Sequence, residues 1–167
     1  YDSWYVYRQA QDHSLLHYKP DVENGTGKAE KKLSDDMVAW LTVEDTTIDY
    51  PVMQGKDNYA YLNTDPYGEY SLSGSIFLDY RNSPDFTDPY SLVYGHHMEQ
   101  DAMFGALDRF EDEAYFDSHR EGTLIAGDRV MHIRLYAFMH ANASDAEIFE
   151  PGEEYDTEAF IEENASI

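Results

Sequence analysis

The sequence predicts a mainly β fold, a barrel or sandwich decorated by short helices and built as one compact domain. Three observations carry that expectation. Short apolar runs recur between residues 38 and 139, with turn residues between them. Hydrophobic residues make up 42% of the chain and aromatics 15%, enough to build a core, which excludes wholesale disorder. A length of 167 residues fits one domain and leaves little room for a second.

The elements follow in order. Residues 1–18 space Trp4, Tyr5, Tyr7, Leu15, Leu16 and Tyr18 in a loosely helical pattern, which predicts a helical arm packed on the domain. Pro20 interrupts it, and Glu23 to Lys28 reads as a flexible loop. Trp40–Val43 and Thr47–Met53 flank Glu44-Asp45-Thr46 and predict a hairpin. Pro51 lacks an N–H, so its strand should lie at an edge there. Asp57 to Leu62 reads as one helical turn, while Gly74–Leu78 and Tyr90–Tyr94 read as strands. Asp101 is placed to cap a helix carrying Met103, Leu107 and Phe110 on one face. Thr123–Ala126 and Val130–Met139 suit two strands around Gly127-Asp128. Asp156 or Thr157 can cap a last helix through Phe160 and Ile161, with Ile167 still inside the helical pattern.

Charge narrows the function. Acids number 34 against 11 bases, a net charge of −23. Such a surface repels nucleic-acid phosphates and anionic lipid headgroups, so no nucleic-acid partner is expected. The absence of cysteine removes disulfides, thiolate zinc sites and any thiol nucleophile within these residues. No stretch approaches the length of a membrane span. The chain opens on Tyr1 rather than Met, so its natural start is expected to lie upstream.

The strongest local feature is Val93-Tyr94-Gly95-His96-His97-Met98, a strand running into a glycine and then two imidazoles. Histidine is the natural proton carrier near neutral pH. Adjacent extended residues face opposite ways, so His96 and His97 should do different jobs, one facing a site and the other solvent or a supporting partner. Ordinary polar loop positions explain both equally well on spacing alone. His13 and His17, four apart, are expected to share a helical face, which can bind a metal ion, but without a zinc-protease glutamate no metal site is expected there. His132 and Arg134 alternate with apolar neighbours and belong on a strand's outer face. No phosphate loop and no nucleophile elbow occurs. Asp79, beside Tyr80, Arg81 and Asn82, could orient a histidine or pair with Arg81. Paired acids such as Glu153-Glu154 and Glu162-Glu163 read as solvated faces.

Taken together, several segments resemble the class B sortases. They are Met37–Leu41, Thr47–Gly55, Asn58–Asn63, Gly74–Asn82, Tyr94–Met98 and Met103-Phe104. The resemblance implies a sortase-like β-barrel over 34–167, preceded by a helical arm and loop over 1–33, with the last strands of the barrel lacking. It implies a cysteine transpeptidase on the outer face of a Gram-positive membrane, anchored by an N-terminal segment outside this chain. Its partners would be a sorting-signal peptide and a cell-wall or pilin amine, with no cofactor and no metal. The imidazole after Tyr-Gly is then the catalytic one, here His96, and Asn58 and Leu62 lie beside the peptide groove. The family's cysteine, usually after Thr-Leu-x-Thr, and its following arginine have no counterpart here; Arg129 and Arg134 come too early. The expectation is therefore a sortase cut short before its nucleophile. The alternative is a non-catalytic scaffold on the same barrel, and a more distant one an acidic cation-binding surface protein.

Overall fold

The computed structural model describes residues 3–20, 33–151 and 155–167. The loop expected over 23–28 lies outside them, as do the side chains of Trp4 and Tyr5. The architecture is mainly β: one six-stranded sheet in the order β4-β3-β2-β1-β5-β6. Its strands are β1 (Met37–Val43), β2 (Asp49–Met53), β3 (Ile76–Leu78), β4 (Val93–Tyr94), β5 (Glu121–Ala126) and β6 (Arg129–Arg134). Among the described residues four short α-helices accompany it: α1 (Ser3–Ala10), α2 (Glu113–Ser118), α3 (Ala146–Phe149) and α4 (Thr157–Asn164).

The hairpin signals act locally. Asp45 takes a positive φ of 60° at the β1–β2 turn, and the Thr46 hydroxyl donates to the Val43 carbonyl at 2.8 Å. Gly127 makes the β5–β6 turn with a φ of 60°, a conformation glycine adopts without cost. β6 alternates exposed and half-buried residues and leaves His132 and Arg134 in solvent. β2 is an interior strand, not an edge. Yet its parallel ladder to β3 covers only Val52 and Met53, so the Pro51 nitrogen, one residue earlier, removes no hydrogen bond from it.

Both faces of the sheet are covered. The larger core gathers Ile48, Tyr50, Val52, Ile76, Leu78, Met103, Phe110 and Phe116. On the other face Trp40, fully buried, packs with Leu15, Leu33 and Ile125, which fastens the arm to the sheet. Asp49 completes that attachment by accepting from Trp40 Nε1 at 2.7 Å, Thr42 Oγ1 at 2.9 Å and Lys19 Nζ at 2.7 Å.

Several expectations are corrected. His13–Tyr18 is a 3₁₀ helix, in which residues four apart lie about 120° apart around the axis, so His13 and His17 share no face. The stretch 57–62 forms successive i→i+3 turns rather than a helix. Only Val93 and Tyr94 pair as a strand, and β6 ends at Arg134. Asp101 caps nothing: its φ is +60°, and Met103 precedes the 3₁₀ helix Phe104–Glu111. Asp156 does cap α4, accepting from Ala159 N at 3.1 Å, but the helix stops at Asn164 and Ser166 then bonds back to Phe138.

Gly105 marks the tightest packing. A Cβ there would stand 1.8 Å from the Met98 carbonyl oxygen, a backbone atom that cannot swing away. Gly105→Ala should therefore lower the unfolding free energy by at least about 2 kcal/mol, read by urea denaturation. A variant within about 0.5 kcal/mol of the parent would show that the backbone yields.

Candidate active site

The site is set by the directions of β2, β3 and β4. β2 and β3 run parallel, so their C-terminal ends lie side by side, and the crossover between them returns over residues 54–75. Asn58, just past β2, therefore meets Asp79, just past β3: Asn58 Nδ2 donates to Asp79 Oδ2 at 2.8 Å, and Tyr80 N donates to Asn58 Oδ1 at 3.0 Å. From there the 57–62 turn travels back along β3. Ser75 N donates to the Tyr61 carbonyl at 3.0 Å, and a Cβ on Gly74 would strike the Leu62 carbonyl. Tyr61 packs with Phe77 and Met53 beneath the turn, while Tyr59 and Leu62 stay exposed.

Asp79 is the centre of the arrangement, with a side chain that has no solvent exposure. Its Oδ1 accepts from Arg81 N and Nε; its Oδ2 accepts from Asn58, from Arg81 Nη2 at 2.8 Å and from the Tyr94 hydroxyl at 3.1 Å. Burial alone would raise this carboxyl. The Arg81 and Asn58 hydrogen bonds outweigh it and hold the group down at about 2. Burial, reinforced by the Asp79 charge, pushes the Tyr94 hydroxyl up to about 12. Arg81 reaches onward to the Glu150 carboxylate and, at 2.9 Å, to the Phe149 carbonyl, so the α3 segment is tied to the same carboxylate.

β4 runs antiparallel to β3 with Phe77 opposite Tyr94. Tyr94 stacks on Phe77 at 5.2 Å, on the face that carries the 57–62 turn. By the alternation of extended backbone, His96 continues on that face, toward the Ser75 end of β3. Gly95 makes the exit possible, because a Cβ there would lie 2.4 Å from Ile76 Cδ1 and 2.8 Å from the Phe104 ring. The His96 ring is half-buried, and no hydrogen bond or ion pair engages it among the described residues. Its carbonyl accepts from Phe104 N at 2.9 Å. His97 turns away to an exposed pair with Asp108 at 2.8 Å.

The structure thus joins Asn58, Asp79 and Tyr94 by hydrogen bonds, sets Leu62 on the same turn as Asn58, and puts His96 at the other end of the β3–β4 pair. Asp79 pairs with Arg81 and contacts no histidine. Sequence reasoning misses Tyr94 and Glu150 as members of this cluster. Tyr94 stands in the motif without a visible partner, and Glu150 lies 69 residues from Arg81, beyond any local signal. Among the described residues no three acids or histidines gather to hold a metal ion. A cavity of about 740 Å³ between the arm and the sheet, lined by Tyr50, Tyr67, Ser71, Ser75 and Met103 among others, includes none of the predicted site residues.

The depressed Asp79 acidity has a sign. A group held at about 2 against an ordinary 3.8 adds stability above its unfolded value, and this stability is lost as pH falls through the folded one. Asp79→Asn should cost about 2–3 kcal/mol at pH 7. It should also flatten the decline in stability between about pH 5 and pH 2 by roughly 2 kcal/mol, measured by urea titrations across that range. An unchanged acid limb would remove Asp79 from this role.

No family model matches the chain. Among curated proteins it is 39% identical to sortase B of Listeria monocytogenes over 107 residues, which is 64% of this chain and 44% of that protein. It is 34% identical to sortase B of Staphylococcus aureus over 104 residues, 62% of this chain and 41% of that one. The matches thus span less than half the length of these relatives. Among solved structures, a Streptococcus pyogenes class B sortase involved in pilus biogenesis superposes with a TM-score of 0.74 at 40% identity, covering 79% of this chain and 74% of that one. Sortase B from L. monocytogenes gives 0.72 at 31%, covering 79% and 78%. A substrate complex of S. aureus sortase B shares the fold over 98% of this chain and 76% of that one, with a TM-score of 0.75 at 23% identity. With 40% identity to the S. pyogenes enzyme, of which the chain covers 74%, and a mainly β sheet that superposes on it, the chain belongs to the class B sortases.

Proposed function

We propose that these residues form the acid–base and peptide-binding part of a cysteine transpeptidase. It would cut a C-terminal sorting signal and pass the protein to a cell-wall or pilin amine at the Gram-positive cell surface. On this reading 34–167 carries the transfer site and 1–33 an accessory arm. The observation that carries it is the track along β3. The 57–62 turn runs from the Asp79 end, where Asn58 is fixed, to the Ser75 end, where Leu62 lies exposed and His96 leaves the sheet. Four extended residues span about 13 Å, the distance between those two levels. Asn58 and Leu62 would flank the signal peptide while His96 stands near the scissile bond. Relatives support the partners: one structure is a sortase B–substrate complex and another a sortase B complexed with triglycine.

His96 would work in two steps. A thiolate adds to the scissile carbonyl; as the C–N bond breaks, the imidazolium gives its proton to the departing amine and a thioester remains. The neutral ring then takes a proton from the incoming amine as it displaces the thiol. That no hydrogen bond or ion pair engages the ring among the described residues suits both. The thiol and an oxyanion-stabilising arginine would come from polypeptide outside these residues. Arg81 is a poor candidate for the latter, being committed to Asp79 and Glu150. The outer edge of β4, unpaired among the described residues, is where a further strand would dock.

The test uses the reading frame beyond Ile167. A polypeptide extended through a downstream cysteine should cleave a sorting peptide in the presence of an amine, whereas the 167 residues alone should not. In the extended protein His96→Ala should lower transfer at least about 100-fold, while His97→Ala, losing only an exposed pair, stays within about threefold. The reverse order would show that the wrong imidazole was chosen. A frame without any thiol would favour the scaffold reading.

A further inference from the structure

The loop that carries His96 is held in a conformation its own residues disfavour. Gln100, Asp101 and Met103 have φ of 60°, 60° and 52°. Met103 combines this with a ψ of −128°, outside even the left-handed helical well. None of the three is a glycine, and such backbone persists only where its surroundings over-determine it. Here they do. Ala102 and Met103 are buried, at 0% and 3% exposure, and Met103 N donates to the Tyr50 hydroxyl at 3.3 Å. Two latches act from outside: the Thr47 hydroxyl donates to the Asp101 carbonyl, and Arg109 donates to the Asp101 carboxylate through Nε at 3.1 Å and through Nη2. The chain reversal at Met103 is what brings Phe104 N onto the His96 carbonyl.

We propose that Thr47, Asp101, Met103 and Arg109 are positioning residues that hold His96 at the sheet exit by keeping this loop strained; the inference rests on His96 being the proton carrier. Strain makes the arrangement conditional. With both latches made, the loop has one geometry. Without them, the backbone can relax toward negative φ, and the Phe104–His96 bond goes with it. Thr47 and Arg109 sit at exposed positions, so replacing them leaves the core intact.

Thr47→Val and Arg109→Gln, singly and together, provide the test. In the double variant of the 167-residue chain we expect the Phe104 amide to exchange about tenfold faster, with a Tm within about 3 °C of the parent. The His96 ring resonance should move while that of His132, on distant β6, stays. Arg109→Lys, which keeps the charge without the fork, should restore part of the protection. In the extended polypeptide the double variant should lower kcat about tenfold with KM held, because the peptide track is untouched. Unchanged exchange at Phe104, or faster exchange with unchanged kcat, overturns the inference. The role of His96 itself is decided separately by His96→Ala, so the two cannot fail indistinguishably.

Discussion

A carboxylate with no access to water must be met by donors or give up its charge, and Asp79 is met on both oxygens. The donors come from places far apart in the chain. Asn58 follows β2, Arg81 follows β3, and Tyr94 ends β4. Each must be in place for the charge to be tolerated, so one carboxylate fixes how the crossover, the sheet edge and the α3 segment sit together. The Asn82 side chain extends the arrangement by tying Asp88, the Tyr90 carbonyl and the Leu92 amide to the exit of β3. Leu92 in turn precedes β4, so the strand that delivers His96 is held from both sides of the turn.

The two ends of the β3–β4 pair are stabilised by opposite means. At the Asp79 end the polar groups are satisfied, and the charge is spread through a guanidinium to Glu150. That end is rigid because leaving any donor unmatched in a buried place is costly. At the His96 end the ring has no partner among the described residues, and the backbone around it is kept by latches against its own preference. On the proposed reading, a ring that takes up and releases protons cannot be saturated with hydrogen bonds. Its position would then be set by backbone geometry instead, through Gly95, Phe104 and the 100–103 loop.

Much of the fold was legible because its signals are local. The β1–β2 and β5–β6 hairpins announce themselves through alternating apolar residues and turn chemistry, and Asp156 caps the helix expected of it. Two of the errors arise where tertiary contacts override a local rule. Asp101 reads as a cap from composition, but Arg109 and Thr47 engage its carboxylate and its carbonyl, and its φ is +60°. Val130–Met139 reads as one strand, yet pairing stops at Arg134, and Phe138 instead binds the last residues of the chain. The candidate site could be read only as residue types in an assembled pattern. Its geometry was not. Nothing local says that Asp79 and His96 leave neighbouring strands in opposite directions, so the idea of Asp79 orienting a histidine fails on register alone.

That opposite departure gives the site its length. Had β4 paired parallel to β3, His96 would leave beside Asp79; the carboxylate would capture the imidazole, and the groups proposed to bind and to react would coincide. Antiparallel pairing separates them by the length of a short extended peptide and leaves the 57–62 turn to line the interval. On the proposed reading the acidic group orders the end that would hold the peptide and lies apart from the end that would carry the proton. Arg81 reinforces the separation by committing its charge to Asp79 and Glu150 rather than to the space near the ring. A buried ion pair is a poor source of net stability. Here the observed packing of the three strand ends satisfies both oxygens of Asp79, so the pair favours one arrangement of those ends.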